Sequence, residues 1–127
     1  WELTFGNMAE GDWPIATEKV KHDTDYQERR QILHGPAKNL APELVARIHG
    51  IAKRIYRTLE LDGYARIDFR LSADGTPYFL EANPNPEIAE SQEFAAAAKH
   101  DGIKYLDLLH RILALGMQRA AGTVSAS

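Results

Sequence analysis

An Asp-Gly dipeptide at residues 74–75, set between two alternating stretches, constrains this chain more than any other feature. Upstream runs Tyr64-Ala-Arg-Ile-Asp-Phe-Arg-Leu71, and downstream runs Pro77-Tyr-Phe-Leu-Glu-Ala-Asn83. Successive side chains on a strand point to opposite faces. Asp-Gly favours a two-residue type I′ turn, because both central residues then need positive φ. A hairpin centred there predicts Asp68 opposite Glu81, Arg66 opposite Asn83 and Arg70 opposite Phe79 on one face. The other face pairs Ile67 with Ala82, Phe69 with Leu80 and Leu71 with Tyr78, and is expected to be an apolar core face.

The polar face is costly unless something neutralises it. Two carboxylates roughly 5 Å apart repel by about 3 kcal/mol at an effective dielectric of about 20, and like charges directly across a ladder are destabilising. A hard divalent cation would account for the layout. Mg²⁺ takes oxygen ligands, uses few protein carboxylates and leaves positions for phosphates. Glu81 and Asn83 are two apart and share a strand face. The alternative is a solvated face on which Arg66 and Arg70 pair the acids.

The 127 residues are enough for one domain with a real core, and 44% apolar with 26% charged residues is the balance of a globular protein. The net charge of −3 without a basic run argues against a nucleic-acid partner. With no cysteine there is no disulfide framework, thiolate nucleophile or thiolate metal site. A reducing compartment is permitted, and the cytoplasm is the expected location. No apolar run reaches membrane-spanning length, so no membrane partner is expected. The sequence starts on Trp1 with strand-like residues and reads as the tail of a longer protein.

Residues 1–5 read as a short strand closed by Gly6-Asn7, and residues 8–15 as loop. Residues 16–34 lack a clear period and are expected to be mobile or irregular, anchored by Val20, Tyr26, Ile32 and Leu33. Residues 42–61 form the clearest helix. Pro42 suits its first position and Glu43 its positive end. Leu44, Ile48, Ile51, Ala52, Ile55 and Leu59 make one stripe, and Asp62-Gly63 terminates it. Ser91 can cap a helix over residues 92–100 that Gly102 ends. A last amphipathic helix over residues 105–119 would turn Leu106, Leu109, Ile112 or Leu113, and Gly116 or Met117 to the core. The fold class is α+β, an antiparallel sheet backed by two longer helices.

The segment Ala65-Arg-Ile-Asp-Phe69, a short turn, then Phe79-Leu-Glu-Ala-Asn-Pro-Asn-Pro86 resembles the metal-site hairpin of the ATP-grasp superfamily. Within that superfamily it most resembles the D-alanine–D-alanine ligases and their relatives. Trp1-Glu-Leu-Thr-Phe-Gly-Asn7 resembles the strand after the adenine-binding hinge. Thr17-Glu-Lys-Val-Lys-His-Asp23 resembles the Lys-aromatic segment near the phosphates. The helices on either side of the hairpin match as well.

The resemblance implies a C-terminal ATP-grasp subdomain over residues 1–120; residues 120–127 are small and polar and are expected to fray, which leaves 121–127 as a disordered tail. It implies an ATP-dependent carboxylate–amine ligase working through an acyl phosphate, with Mg²⁺ or Mn²⁺ as cofactor. ATP and an amino acid or small carboxylate or amine would be its substrates. Asp68, Glu81 and Asn83 would hold the cations. Arg66 would contact the transferred phosphoryl group, Glu2 the ribose, and Lys21 the phosphates, with Lys19 as the alternative. The missing N-terminal lobes of the same protein would be partners, and a homodimer is compatible. The chain by itself is expected to be inactive. The competing readings are a noncatalytic ATP-grasp-like remnant that binds a metal or a partner, and a plain structural domain.

One departure bears on the substrate. After the metal Asn the D-alanine ligases carry a Thr-x-Pro-Gly-like loop, where this chain has Pro84-Asn-Pro-Glu87. Glu87 either puts bulk and negative charge where the resemblance implies that an acceptor carboxylate binds, or turns outward and only decorates a proline-rich loop. Other polar residues have plainer readings. His49 packs beside the helical stripe, while His34, His100 and His110 are surface residues. His22 sits in the aromatic slot beside Lys21, where it packs or contacts a phosphate. Arg29-Arg30 is a solvated pair, Asp74 a turn residue, and Glu90 and Glu93 helix N-terminal charges.

Overall fold

The structure, a computed structural model, describes residues 1–5, 25, 28 and 32–124. Lys19, Lys21, His22, the Arg29-Arg30 pair, Val20 and Tyr26 lie outside them. The chain divides into two compact units, Trp1–Lys38 and Asn39–Ser127. The fold is α+β as expected, but among the described residues the strands form two separate two-stranded antiparallel sheets.

In the first unit β1 (Glu2–Phe5) pairs with β2 (Ile32–Gly35), with Glu2 opposite Gly35 and Phe5 opposite Ile32. The irregular segment expected through residue 34 therefore ends in a strand. Four residues are too few to display a period of two, which is why β2 escapes a pattern reading. The Lys38 backbone N–H donates to Glu2 Oε2 at 3.4 Å.

The second unit opens with α1 (Pro42–Thr58), which has proline at its start, Glu43 in the first turn and Arg57 in the last. These charges complement the helix dipole. Leu44, Ile48, Ile51, Ala52 and Ile55 are half-buried, whereas Leu59, the last of the expected stripe, lies past the helix end and is 50% exposed. Ile51, Ile55 and Leu59 line a shallow groove of about 290 Å³ together with Arg54, Thr58 and Phe79. His49 does not pack with the stripe but is exposed.

The helix also ends earlier than Asp62-Gly63 implies. Leu59 is the C-cap, and Glu60 takes φ 51°. The Leu61 N–H reaches the Tyr56 carbonyl at 3.0 Å, and the Glu60 N–H reaches that of Arg57 at 3.1 Å. This is a Schellman motif with glutamate where glycine usually stands. A left-handed conformation costs an L-residue about 1–2 kcal/mol, partly offset because glycine loosens the unfolded chain. Glu60→Gly should therefore raise stability by about 0.5–1 kcal/mol, read as a higher urea midpoint. A lowered midpoint would show that Glu60 contributes something beyond the turn.

The hairpin of β3 (Arg66–Leu71) and β4 (Pro77–Asn83) follows. After it, α2 (Glu93–His100) starts from Gln92 rather than Ser91, with no side-chain cap. It ends on Gly102 at φ 83° in a second Schellman motif. The final helix α3 (Tyr105–Val124) runs past Arg119 into the stretch expected to fray. Its core face differs from expectation. Leu108, 7% exposed, is buried, and Leu109 and Ile112 are half-buried, whereas Leu106, Leu113 and Met117 are 60–67% exposed. Helix α3 packs on α2, where Ala95 is 5% exposed. No helix among them is long and apolar enough to cross a membrane.

Candidate active site

The hairpin places Asp68 directly opposite Glu81 and Arg66 opposite Asn83, as the alternation predicts, but by a different route. The turn is not the two-residue type. Gly75 N–H bonds to the Ser72 carbonyl and Ser72 N–H to the Thr76 carbonyl, both at 3.0 Å, with Gly75 at φ 81°. Residues 73–75 thus form a three-residue loop ending in a left-handed glycine. The Ser72 hydroxyl and the Thr76 amide donate to the Asp74 carboxylate and hold its pKa below the ordinary range. Any stability this adds is present above the unfolded-state pKa and lost as pH falls through the folded one.

That loop moves the outer half of the ladder by one residue. Phe69 faces Phe79, Arg70 faces Tyr78 and Leu71 faces Pro77. A β-bulge between Asp68 and Phe69 makes Leu80 the extra residue and restores the pairing of the acids. Phe79 therefore takes the place expected for Leu80, its ring edge-on to Phe69 with centroids 6.4 Å apart. Leu80 is 61% exposed.

Arg66 occupies the centre of the polar face. Its Nε and Nη2 donate to the two oxygens of Asp68 at 2.9 and 3.0 Å. Nη2 lies 3.6 Å from Glu81 Oε1, and Nη1 donates to Glu93 Oε2 at 3.4 Å. Partial burial would lower the arginine pKa. The hydrogen bond to Asp68 and the charges of Asp68, Glu93 and Glu81 outweigh it, and the guanidinium is held above its ordinary value. About a third of Arg66 and Asp68 remains exposed, so the bidentate pair contributes on the order of 1 kcal/mol. Arg66 thus relieves the repulsion between the acids.

Asn83 closes the inner end. Its Oδ1 accepts from the Asn85 N–H at 2.9 Å, and Asn85 Oδ1 accepts from the Tyr64 hydroxyl at 2.7 Å. The Tyr64 ring packs 5.6 Å from that of Phe94, which ties β4, the following loop and α2 together. Pattern reading gave no role to Tyr64, Asn85 or Glu93 at the site. Glu93 stands 27 residues from Arg66, and only the fold brings them together. Glu2 lies on β1 in the other unit.

The donor set suits a hard cation. Among the described residues no three His, Cys, Asp or Glu side chains gather in a metal-holding arrangement. The face offers two carboxylates and one amide oxygen, each with a lone pair beyond its present hydrogen bonds. Mg²⁺ would use such a partial set, leaving its other positions to water or phosphate. An arginine beside it provides a fork for phosphoryl oxygens.

The chain belongs to the family described as D-ala D-ala ligase C-terminus, which matches residues 14–114. It is 33% identical over 102 residues to the D-alanine–D-alanine ligase of Geobacillus thermodenitrificans, covering 80% of this chain and 28% of that protein. It is 32% identical over 116 residues to D-alanine–D-alanine ligase B of Chromobacterium violaceum, covering 88% of this chain and 38% of that protein. The crystal structure of the Bacillus anthracis D-alanine–D-alanine ligase complexed with ATP superposes with a TM-score of 0.60 at 30% identity. The match covers 63% of this chain and 28% of that one. The chain thus spans between a quarter and two fifths of the length of these relatives.

Proposed function

We propose that this chain is the metal- and phosphate-holding part of an ATP-dependent carboxylate–amine ligase. The observation that carries the reading is the Asp68–Glu81 pair, with Arg66 and Asn83 on one strand face. Membership of a ligase family supports it, as does the likeness to a ligase complexed with ATP. Asp68, Glu81 and Asn83 would hold Mg²⁺ or Mn²⁺, which would draw the ATP phosphates together and neutralise their charge. Arg66 would stabilise the phosphoryl group as its charge spreads over the equatorial oxygens. Glu2 would bond the ribose, and Lys21 or Lys19 the phosphates.

In the first step a substrate carboxylate attacks the γ-phosphorus, giving an acyl phosphate and releasing ADP. In the second an amine attacks the acyl carbon, an amide bond forms, and inorganic phosphate and the amine proton leave. Glu87 is exposed on the loop after Asn83. A carboxylate there repels an incoming carboxylate, so we assign the acceptor to a class other than free D-alanine.

The test is an ATP-dependent phosphate-release screen of the full-length protein with D-amino acids, L-amino acids and small amines. Release is expected with an acceptor other than D-alanine, and Glu81→Gln should abolish it. Absence of release with every pair, or full activity of Glu81→Gln, would sink the ligase reading. D-alanine as the best acceptor would sink the Glu87 argument alone.

A further inference from the structure

Glu93 reaches Arg66 from outside the hairpin. The guanidinium turns its Nε and Nη2 to Asp68 and Glu81, and its Nη1 to Glu93. The first two acids are those proposed to receive a cation. Glu93 begins α2, whose start is tied to the hairpin through Phe94, Tyr64 and Asn85. It does not join Asp68 and Glu81 as a third member of a metal-holding carboxylate group.

This division poses a physical problem that Glu93 solves. In the present arrangement Arg66 serves as the counter-ion of Asp68 and Glu81. A divalent cation on those acids competes with the guanidinium for the same oxygens and repels it. An arginine held only by the strand acids would be driven off the face when the cation arrives, just when a phosphoryl group needs it.

We infer that Glu93 is a positioning residue for Arg66: it retains the guanidinium through Nη1 while Asp68 and Glu81 are given over to the cation. Held there, Arg66 turns its Nε and Nη2 edge from the carboxylates to the incoming phosphoryl oxygens. Fork geometry makes that exchange possible, since one guanidinium can bond carboxylate and phosphate along different edges. The inference rests on the metal reading above.

The experiment measures Mn²⁺ binding to the full-length protein by electron paramagnetic resonance of the free ion, without ATP or acceptor. Without Glu93 the guanidinium pairs more fully with Asp68 and Glu81 and competes better with the metal. Glu93→Gln, which keeps the shape of the side chain, should weaken Mn²⁺ binding about three- to tenfold. In an Arg66→Gln background the same change should alter it less than about twofold, because no guanidinium remains to compete. An equal loss in both backgrounds would show that Glu93 acts directly on the metal, and no loss in either would show that it does not hold Arg66; each overturns the inference.

Steady-state kinetics add a second readout: Glu93→Gln should lower kcat about tenfold while the KM for ATP moves less than about threefold. The reverse split would also overturn it. Unmutated protein that fails to bind Mn²⁺, or that binds it no better than Glu81→Gln, would overturn the metal reading itself. Intact binding that Glu93→Gln leaves untouched would overturn this inference alone.

Discussion

Arg66→Ala should reduce kcat of the full-length protein about 10³-fold, the scale of an arginine acting on a transferring phosphoryl group, with little rise in the KM for ATP. The two parameters separate for a reason visible on the strand face. Arg66 is the counter-ion of Asp68 and Glu81. Its removal leaves those acids more strongly negative and no less able to hold a cation, so binding of the metal–nucleotide complex is spared. What disappears is charge stabilisation realised as the phosphoryl group moves, and that enters kcat. Initial rates over a range of ATP concentrations decide the matter. An unchanged kcat with weakened ATP binding would make Arg66 a nucleotide anchor.

The second large effect concerns stability. Leu108→Ala should cost about 2–3 kcal/mol, the lower part of the range for a buried leucine, which changes the folding equilibrium about 30- to 150-fold. Leu108 sits one turn into the backbone bonds of α3, its N–H on the Lys104 carbonyl at 2.9 Å, and it is the large side chain most deeply buried among the described residues. Leu106, two residues earlier, is 67% exposed, and its replacement by alanine should cost less than about 0.5 kcal/mol. Urea denaturation of the 127-residue chain compares the two at equal m-value. Equal costs would mean that α3 presents another face to α2.

That contrast shows what the sequence could and could not reveal. In α1, the stripe residues fall on one side, so spacing alone picks out the face that is half-buried along most of its length. In α3, leucine, isoleucine and methionine occupy both sides, at Leu106, Leu108, Leu109, Ile112, Leu113, Leu115 and Met117. Periodicity then supplies no direction, and the partner helix decides. The end of α1 was misplaced because Glu60, not a glycine, adopts the left-handed turn. The acids of the site were legible because a turn signal and a period of two fix which residues meet. The Arg66–Glu93 contact was not, since no local rule relates the third residue of a hairpin segment to the first of a later helix.

The register of the hairpin holds a further consequence. Its tip carries one residue more than a two-residue turn, and Leu80 takes up the difference before the acids are reached. Tip length and site geometry are therefore separate variables, with one residue of slack between them. A hairpin of this kind can gain or lose a residue at its far end and still present the same charged face. When such chains are compared, equivalence should be anchored on Arg66, Asp68, Glu81 and Asn83 and the gap allowed to wander. A comparison anchored on the tip, with a chain whose tip is a residue longer or shorter, would displace one strand's polar residues from their counterparts and hide a site that had not changed.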